Sequence, residues 1–219
     1  MTLQRMKPRI TLCSLTVLML AGLPALAAAE VMTFKVLSNS RATFKTTAIL
    51  ETVIGTTSGP AISGAVTGDL ARPQAASGTV KVDLTTVKTG IDKRDADMRS
   101  KTYLDTDNEA NRYAVFDLKG VEIADALEPG KEIPAKLRGT LTIKERLIDV
   151  TADAQVTYIK LTPEQLESQK RFGFASDNIR IIAKFNTSFT NHGMKVPELM
   201  YLKLSNDIVI ETDLTLARQ

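Results

Sequence analysis

Residues 179–189 read IRIIAKFNTSF, and apolar and polar side chains alternate along this segment. Because successive side chains of a β-strand point to opposite faces, the alternation predicts a strand with one apolar and one polar face. The apolar face carries, at every second position, Ile179, Ile181, Ala183, Phe185, Thr187 and Phe189. A strand of this kind is typical of an antiparallel sheet with one face on the core and one in water. The segment therefore predicts an all-β, antiparallel fold.

The same alternation recurs along most of the chain. It is clearest in TVKVDLTTV (79–87), LRGTLTIK (137–144) and DIVIETDLTL (207–216), and shorter runs lie near 33–37, 41–50, 63–71, 114–124 and 150–159. Turn-forming residues separate the runs at Ser58-Gly59-Pro60, Ala71-Arg72-Pro73, Glu128-Pro129-Gly130 and Asn191-His192-Gly193. Many short strands without long helices between them indicate a sandwich or a barrel. No repeat or long linker divides residues 30–219, so we expect one domain.

Two segments depart from the alternation, and a third stretch is rich in glycine. TPEQLESQK (162–170) predicts a short helix, since Thr162 can cap it, Pro163 suits its first position and Gln165 completes a capping-box spacing. Residues 92–104 contain good helix formers and predict a short helix or ordered loop between two strands. GTTSGPAISGAVTG (55–68) lacks the lysine and the following helix of a phosphate-binding loop, so it is interpreted as a loop leading into an edge strand.

The first 29 residues have the composition of a secretory signal peptide. Arg5, Lys7 and Arg9 precede an uncharged, mostly apolar run, and ALAAA follows at 25–29. The apolar run is too short for a comfortable membrane span, although an uncleaved anchor is the alternative. Cleavage after Ala27 or after Ala29 fits the pattern. We therefore expect removal of residues 1–29, export to the periplasm, and a mature chain without a transmembrane span.

The composition of the mature chain excludes several classes of protein. Three of the 28 Lys and Arg residues lie in the signal peptide, which leaves 25 basic against 25 acidic residues and gives no basic footprint for nucleic acid. The single cysteine, Cys13, leaves with the signal peptide, so the mature chain has no disulfide and no cysteine zinc ligand. An aromatic content of 5% without tryptophan also argues against a transmembrane barrel with aromatic girdles.

The sequence offers little for catalysis or metal binding. The one histidine, His192, lies in an Asn-His-Gly turn and is expected to be a solvated surface residue. The common hydrolase, metalloprotease and nucleotide-binding patterns are absent. Asp105 and Asp107 loosely resemble part of a calcium loop, but its glycine and distant glutamate are missing. We therefore expect no enzyme activity, no metal and no cofactor.

An apolar interior remains as the feature that carries a function. A barrel of about eight strands either fills its lumen with side chains or leaves room for one ligand. Small residues on inward faces, namely Gly68, Gly139 and Ala183, favour a cavity. The alternative, in which Phe and Val side chains fill the core, stays open at this point.

Three stretches resemble the YceI-like family. They are ETVIGTTSGPAISGAVTGDL (51–70), SGTVKVDLTTVKTGIDKRDADMRSKTYLDTD (77–107), and YAVFDLKGVEI (113–123) with the later Gly-x-Leu-Thr-Ile strand (139–143). The sequence departs from the family where a proline usually precedes Phe116, where a histidine often lies near Asp97, and where Lys144-Glu145-Arg146-Leu147 replace a glycine and a Thr-rich turn. The resemblance implies an exported, lipocalin-like barrel of about eight antiparallel strands with one or two short helices.

The resemblance also implies a function, namely binding of a polyisoprenoid, quinone or similar long apolar ligand in the lumen. The residues expected to contact it are Phe44, Val82, Leu84, Arg94, Met98, Tyr103, Phe116, Leu141, Ile143 and Phe185. Residues 89–116 would then connect two strands near one barrel mouth, where Arg94 and Asp95 pair with each other or hold the loop. In this interpretation Arg94 or Arg99 meets a polar headgroup. The alternative is a filled barrel that engages another envelope protein, and a homodimer is a further open possibility.

Overall fold

The computed structural model describes residues 30–199 and 202–219, so the predicted signal peptide over residues 1–29 lies outside the described part. The strands are β1 (Val31–Val36), β2 (Arg41–Thr47), β3 (Thr52–Ser58), β4 (Ile62–Asp69), β5 (Arg72–Asp83), β6 (Tyr113–Ile123), β7 (Glu132–Ile143), β8 (Arg146–Lys160), β9 (Asp177–Ser188), β10 (Glu198–Leu199), β11 (Leu202–Lys203) and β12 (Asp207–Arg218). The two α-helices are α1 (Asp92–Arg99) and α2 (Pro163–Gln169).

The strands close into an antiparallel barrel. β1 and β2 lie end to end as one long strand, and β3 and β4 do the same. The two long strands pair antiparallel as a hairpin, which runs from Val31 opposite Asp69 to Thr47 opposite Thr52. β5, β6, β7, β8, β9 and β12 then follow as successive neighbours. β12 pairs with both β1 and β2 and closes the ring. The ring has eight strands when β1 with β2, and β3 with β4, are each counted as one. The predicted barrel is confirmed, and the sandwich is excluded.

The glycine-rich stretch 55–68 was interpreted as a loop leading into an edge strand; the strand near 63–71 is confirmed as β4, but the expected loop is mostly strand as well. The stretch lies in β3 and β4, and only a single turn of 3₁₀ helix at Gly59–Ala61 interrupts it. Its glycines allow close packing, because a Cβ on Gly55 would lie 2.1 Å from Phe44 Cε1 and one on Gly64 would lie 2.0 Å from the carbonyl oxygen of Thr79. Glycine in a strand often marks such a close approach. Likewise, β5 already begins at Arg72, so the predicted turn at 71–73 occupies residues 70–71 instead.

Helix α2 forms as its sequence predicts. The Thr162 hydroxyl accepts a hydrogen bond from the Gln165 backbone N–H at 3.3 Å, and the Gln165 side chain accepts one from the Thr162 N–H at 2.9 Å. This reciprocal pair is a capping box, and Pro163 occupies the first turn, where it loses no helical hydrogen bond. In the 92–104 segment, the helix is limited to α1 and turns follow it.

The two ends of the barrel differ. At the end where β1 begins and β12 ends, apolar side chains pack into a continuous core that includes Phe34, Ile133, Val156, Ile179 and Leu216. We call this the closed end. Tyr158 donates a hydrogen bond there to Asp177, and burial together with this carboxylate raises the pKa of Tyr158 to about 12. The opposite end, which we call the open end, carries α1, the β2–β3 turn and the β10–β11 hairpin.

Helices long and apolar enough to span a membrane are absent from the described ranges 30–199 and 202–219.

Candidate functional site

A cavity of about 730 Å³ extends from the open end into the barrel. Most of its wall consists of apolar side chains on the inward faces of β2, β5, β6, β7, β9 and β12. It stops at the core of the closed end, since Phe34, Ile133, Val156 and Ile179 of that core do not line it. A volume of this size lies within the range of small-molecule binding sites.

The structure places all ten residues predicted from the sequence on the wall of this cavity. They are Phe44 on β2, Val82 on β5, Leu84 in the following 3₁₀ turn, Arg94 and Met98 on α1, Tyr103 in the turn after α1, Phe116 on β6, Leu141 and Ile143 on β7, and Phe185 on β9. The rings of Phe116 and Phe185 stack with centroids 6.4 Å apart. The role of these residues as ligand contacts stays a prediction.

Other lining residues were not singled out from the sequence. Val80, Ile181, Ile210 and Leu214 continue the inward faces of predicted strands, so the alternation already contained the signal for them. Val53 and Val66 also line the cavity, on β3 and β4. Val66 belongs to the alternating run predicted near 63–71, whereas Val53 lies outside the alternating runs.

The glycines expected to open the lumen do not do so. A Cβ on Gly139 would lie 2.6 Å from Phe116 Cζ and 2.4 Å from the Asp117 carbonyl oxygen, and one on Gly68 would lie 2.9 Å from Ala76 Cβ. The Phe116 ring and the Ala76 methyl group therefore occupy the space that these glycines leave. Ala183 does line the cavity, together with the small side chains of Ala42, Ala114 and Ala152.

Helix α1 is fastened to the barrel through Thr89. The Asp95 side chain, which is 1% exposed, accepts hydrogen bonds from the Thr89 N–H at 2.8 Å and from its hydroxyl at 2.6 Å. Burial alone would raise the pKa of Asp95, but these hydrogen bonds and the charges of Lys88 and Arg99 outweigh it and lower the pKa. Asp95 thus remains an anion that fixes the beginning of α1.

Arg94 is engaged on three sides. Its Nε donates to the Thr89 hydroxyl at 2.9 Å, its Nη2 donates to the Thr89 carbonyl at 3.2 Å, and its Nη1 donates to the Glu51 carboxylate. Arg94 and Asp95 therefore hold the loop as expected, but through Thr89 and not by pairing with each other. Arg99, the alternative headgroup contact, does not line the cavity.

The connection after β5 covers part of the open end. Met98 packs against Leu84 and Ile143 in one apolar cluster, and Tyr103 packs against Phe189 in a neighbouring one. Both side chains thus lie over the cavity wall. Lys93, Asp97, Ser100 and Thr102 complete this side of the rim.

His192 is buried, which contradicts the expected surface position. Its side chain lines the cavity, and its Nε2 lies 2.8 Å from the Thr187 hydroxyl oxygen. Desolvation lowers the pKa of His192, and the nearby backbone of Ile143 and Arg146 offsets this only in part. The ring is therefore neutral near pH 7. Nδ1 has no partner with hydrogen-bonding geometry in the described part of the chain. Among the described residues, Nδ1 thus has no hydrogen-bonded group of the kind that orients the ring of a catalytic base.

Within residues 30–199 and 202–219, no three His, Cys, Asp or Glu side chains come together as metal ligands would.

The sequence profile of the YceI-like domain matches residues 33–216, which is most of the chain. The chain belongs to the YceI-like family. Comparison with curated proteins gives no significant match.

Several solved structures have the same fold. A polyisoprenoid binding domain from Saccharophagus degradans, implicated in plant cell wall breakdown, is 14% identical and has a TM-score of 0.63, with 87% of this chain and 100% of that chain covered. Burkholderia cenocepacia BcnA is 15% identical with a TM-score of 0.58, covering 80% and 95%. A Campylobacter jejuni YCEI protein is 18% identical with a TM-score of 0.55, covering 72% and 81%. At these identities the likeness establishes the fold of this YceI-like chain.

Proposed function

We propose that this YceI-like protein binds a long apolar ligand, such as a polyisoprenoid, a quinone or a similar lipid, in its lumen. The observation that carries the proposal is the open, apolar cavity of about 730 Å³. The polyisoprenoid binding domain of Saccharophagus degradans, which has the same fold, supports the same class of ligand. The signal-peptide pattern of residues 1–29 supports a periplasmic location.

The size of the cavity gives the scale of the ligand. At about 30 Å³ for each water-sized unit of volume, the cavity has room for roughly 24 such units, comparable to a chain of some 20 carbon atoms. Each buried methylene contributes about 0.8 kcal/mol. Ten methylenes would therefore supply about 8 kcal/mol, which corresponds to a Kd near 1 μM before the entropic cost of binding is subtracted.

Binding without catalysis fits the chemistry of the wall. Its polar groups are mostly at the rim, and His192 with Thr187 is buried without an orienting partner among the described residues. The alternative of a protein-interaction module supposed a filled lumen, so the cavity gives it no support.

Lipid extraction and mass spectrometry of the protein purified from its native periplasm should recover a long-chain lipid. Ala183→Phe provides a direct test, because Ala183 lines the cavity and six added carbon atoms take the space of about six methylenes. We expect a loss of up to about 5 kcal/mol in binding a long-chain probe, which is more than 1,000-fold.

Ile182→Phe is the matched control. Ile182 is the next residue on β9, points to the outer face and is 39% exposed. It should bind the probe as the unmodified protein does. Equal binding by both variants, or protein that yields no lipid and binds no long-chain probe, would overturn the proposal.

A further inference from the structure

The charged side chains that line the rim of the cavity include two ion pairs. Among the described lining residues, the cations are Lys93 and Arg94, and the carboxylates are Glu51, Asp97 and Glu198. His192 is neutral near pH 7 because its burial lowers its pKa. These lining residues carry two positive and three negative charges, and Glu198 lies opposite Lys203 in the β10–β11 pair.

Each of the two cations already has a carboxylate partner. Lys93 Nζ lies 3.1 Å from Asp97 Oδ2, one helical turn away on α1. Arg94 Nη1 contacts the Glu51 carboxylate, and its Nε and Nη2 are taken by Thr89. A phosphate group at the rim would have to displace Glu51 from Arg94 and would lie beside the displaced carboxylate.

Glu51 is well placed for this effect. It follows the β2–β3 turn directly, and its carbonyl accepts a hydrogen bond from the Ala48 N–H at 2.7 Å, which closes that turn. Arg94 is held on the opposite side of the contact by Thr89, with its side chain 20% exposed. Both partners are thus anchored by the backbone on two different segments of the rim.

Building on the proposed function, we infer that Glu51 makes the cavity select ligands with an uncharged headgroup over the same chain bearing a phosphate. Like charges in proximity repel, and water screens this repulsion only in part, because the Glu51 side chain is 44% exposed and stands beside the apolar wall of the cavity. The ligand is then an uncharged amphiphile, with a hydrocarbon tail in the lumen and a hydroxyl or carbonyl head at the rim. Ser100 and Thr102 offer hydroxyl groups to such a head.

The test compares a prenyl alcohol of about 20 carbon atoms with its monophosphate, both by displacement of a fluorescent long-chain probe. We expect the alcohol to bind about tenfold more tightly to the unmodified protein. Glu51→Gln keeps an oxygen acceptor for Arg94 but removes the charge, so phosphate binding should tighten about fivefold or more while alcohol binding stays within about twofold. Glu51→Asp keeps the charge and should retain the preference for the alcohol.

Glu122→Gln is the matched control, because Glu122 forms an exposed pair with Arg138 at 3.2 Å and does not line the cavity. It should leave both affinities unchanged. Equal or tighter binding of the phosphate by the unmodified protein would overturn the inference, as would a Glu51→Gln variant with the original preference. If neither compound binds the unmodified protein, the proposed function fails and this inference fails with it.

Discussion

Replacing Asp95 by Asn tests how strongly helix α1 depends on one buried carboxylate. Asp95 accepts two hydrogen bonds from Thr89, at 2.8 Å from the backbone N–H and 2.6 Å from the hydroxyl, and Lys88 Nζ lies 3.9 Å away. Asparagine keeps an oxygen for Thr89 but turns an amide donor toward the side where Lys88 lies. A buried donor without an acceptor costs about 1–3 kcal/mol. We expect Asp95→Asn to lower the free energy of unfolding by about 2 kcal/mol at pH 7.

The pH dependence of this difference follows from the lowered pKa of Asp95. A carboxyl group whose pKa is lower in the folded state stabilises the protein fully above its unfolded value, here 3.8. The contribution is lost as the pH falls through the folded pKa. The gap between the two proteins should therefore shrink below pH 3.8, by at most about 1.4 kcal/mol per pH unit. The other carboxylates are common to both proteins and cancel in the comparison.

Urea unfolding of both proteins at pH 7, 5 and 3 provides the measurement, and Asp97→Asn provides the control. Asp97 is on the same helix but is exposed and paired with Lys93 at the surface, so its replacement should change stability by less than about 0.5 kcal/mol. A variant at Asp95 as stable as the unmodified protein at pH 7 would refute the reasoning. So would a stability gap that stays constant down to pH 3.

Two further predictions concern stability. Lys144 and Glu145 form the two-residue β7–β8 turn with φ of 50° and 57°. Asn-Gly suits this left-handed backbone, so replacing both residues by Asn-Gly should raise the free energy of unfolding by about 1 kcal/mol. Thermal unfolding measures the change, and an unchanged or lower stability would contradict the prediction. Burial lowers the pKa of His192 below its unfolded value of 6.5, so the folded protein holds this ring neutral. Below about pH 6.5 the unfolded chain binds a proton there more readily than the folded protein, and the free energy of unfolding falls by at most about 1.4 kcal/mol per pH unit. His192 is the only histidine, so His192→Gln should abolish the loss of stability between pH 7.5 and 5.5, and an equal loss in both proteins would count against it.

The strands and most of the cavity wall could be predicted because strand alternation is a local signal, whereas the choice of a barrel over a sandwich came from the resemblance to the YceI-like family. Once Ile179 to Phe189 is a strand, every second side chain faces the lumen, and no knowledge of its neighbours is needed. The same holds for Val82, Phe116 and Leu141 on their own strands. The capping box of α2 is equally local, since Thr162 and Gln165 contact each other directly.

The features that sequence reasoning missed depend on contacts between distant segments. The Asn-His-Gly turn looks exposed by composition, but the backbone of Ile143 and Arg146 around the β7–β8 turn packs against His192, which is buried. Glu51, the partner of Arg94, is 43 residues away along the sequence and belongs to a different segment of the rim. No spacing rule connects residues so far apart. The space next to Gly139 is taken by the Phe116 ring of a neighbouring strand, which only the sheet register reveals.

The packed closed end determines the route by which a ligand of the proposed kind would reach the cavity. Because Phe34, Ile133 and Leu216 pack across one end of the barrel, a lipid bound as proposed would enter and leave through the open end, with its tail entering first and leaving last. The proposed binding mode would then place loading and unloading at the same rim.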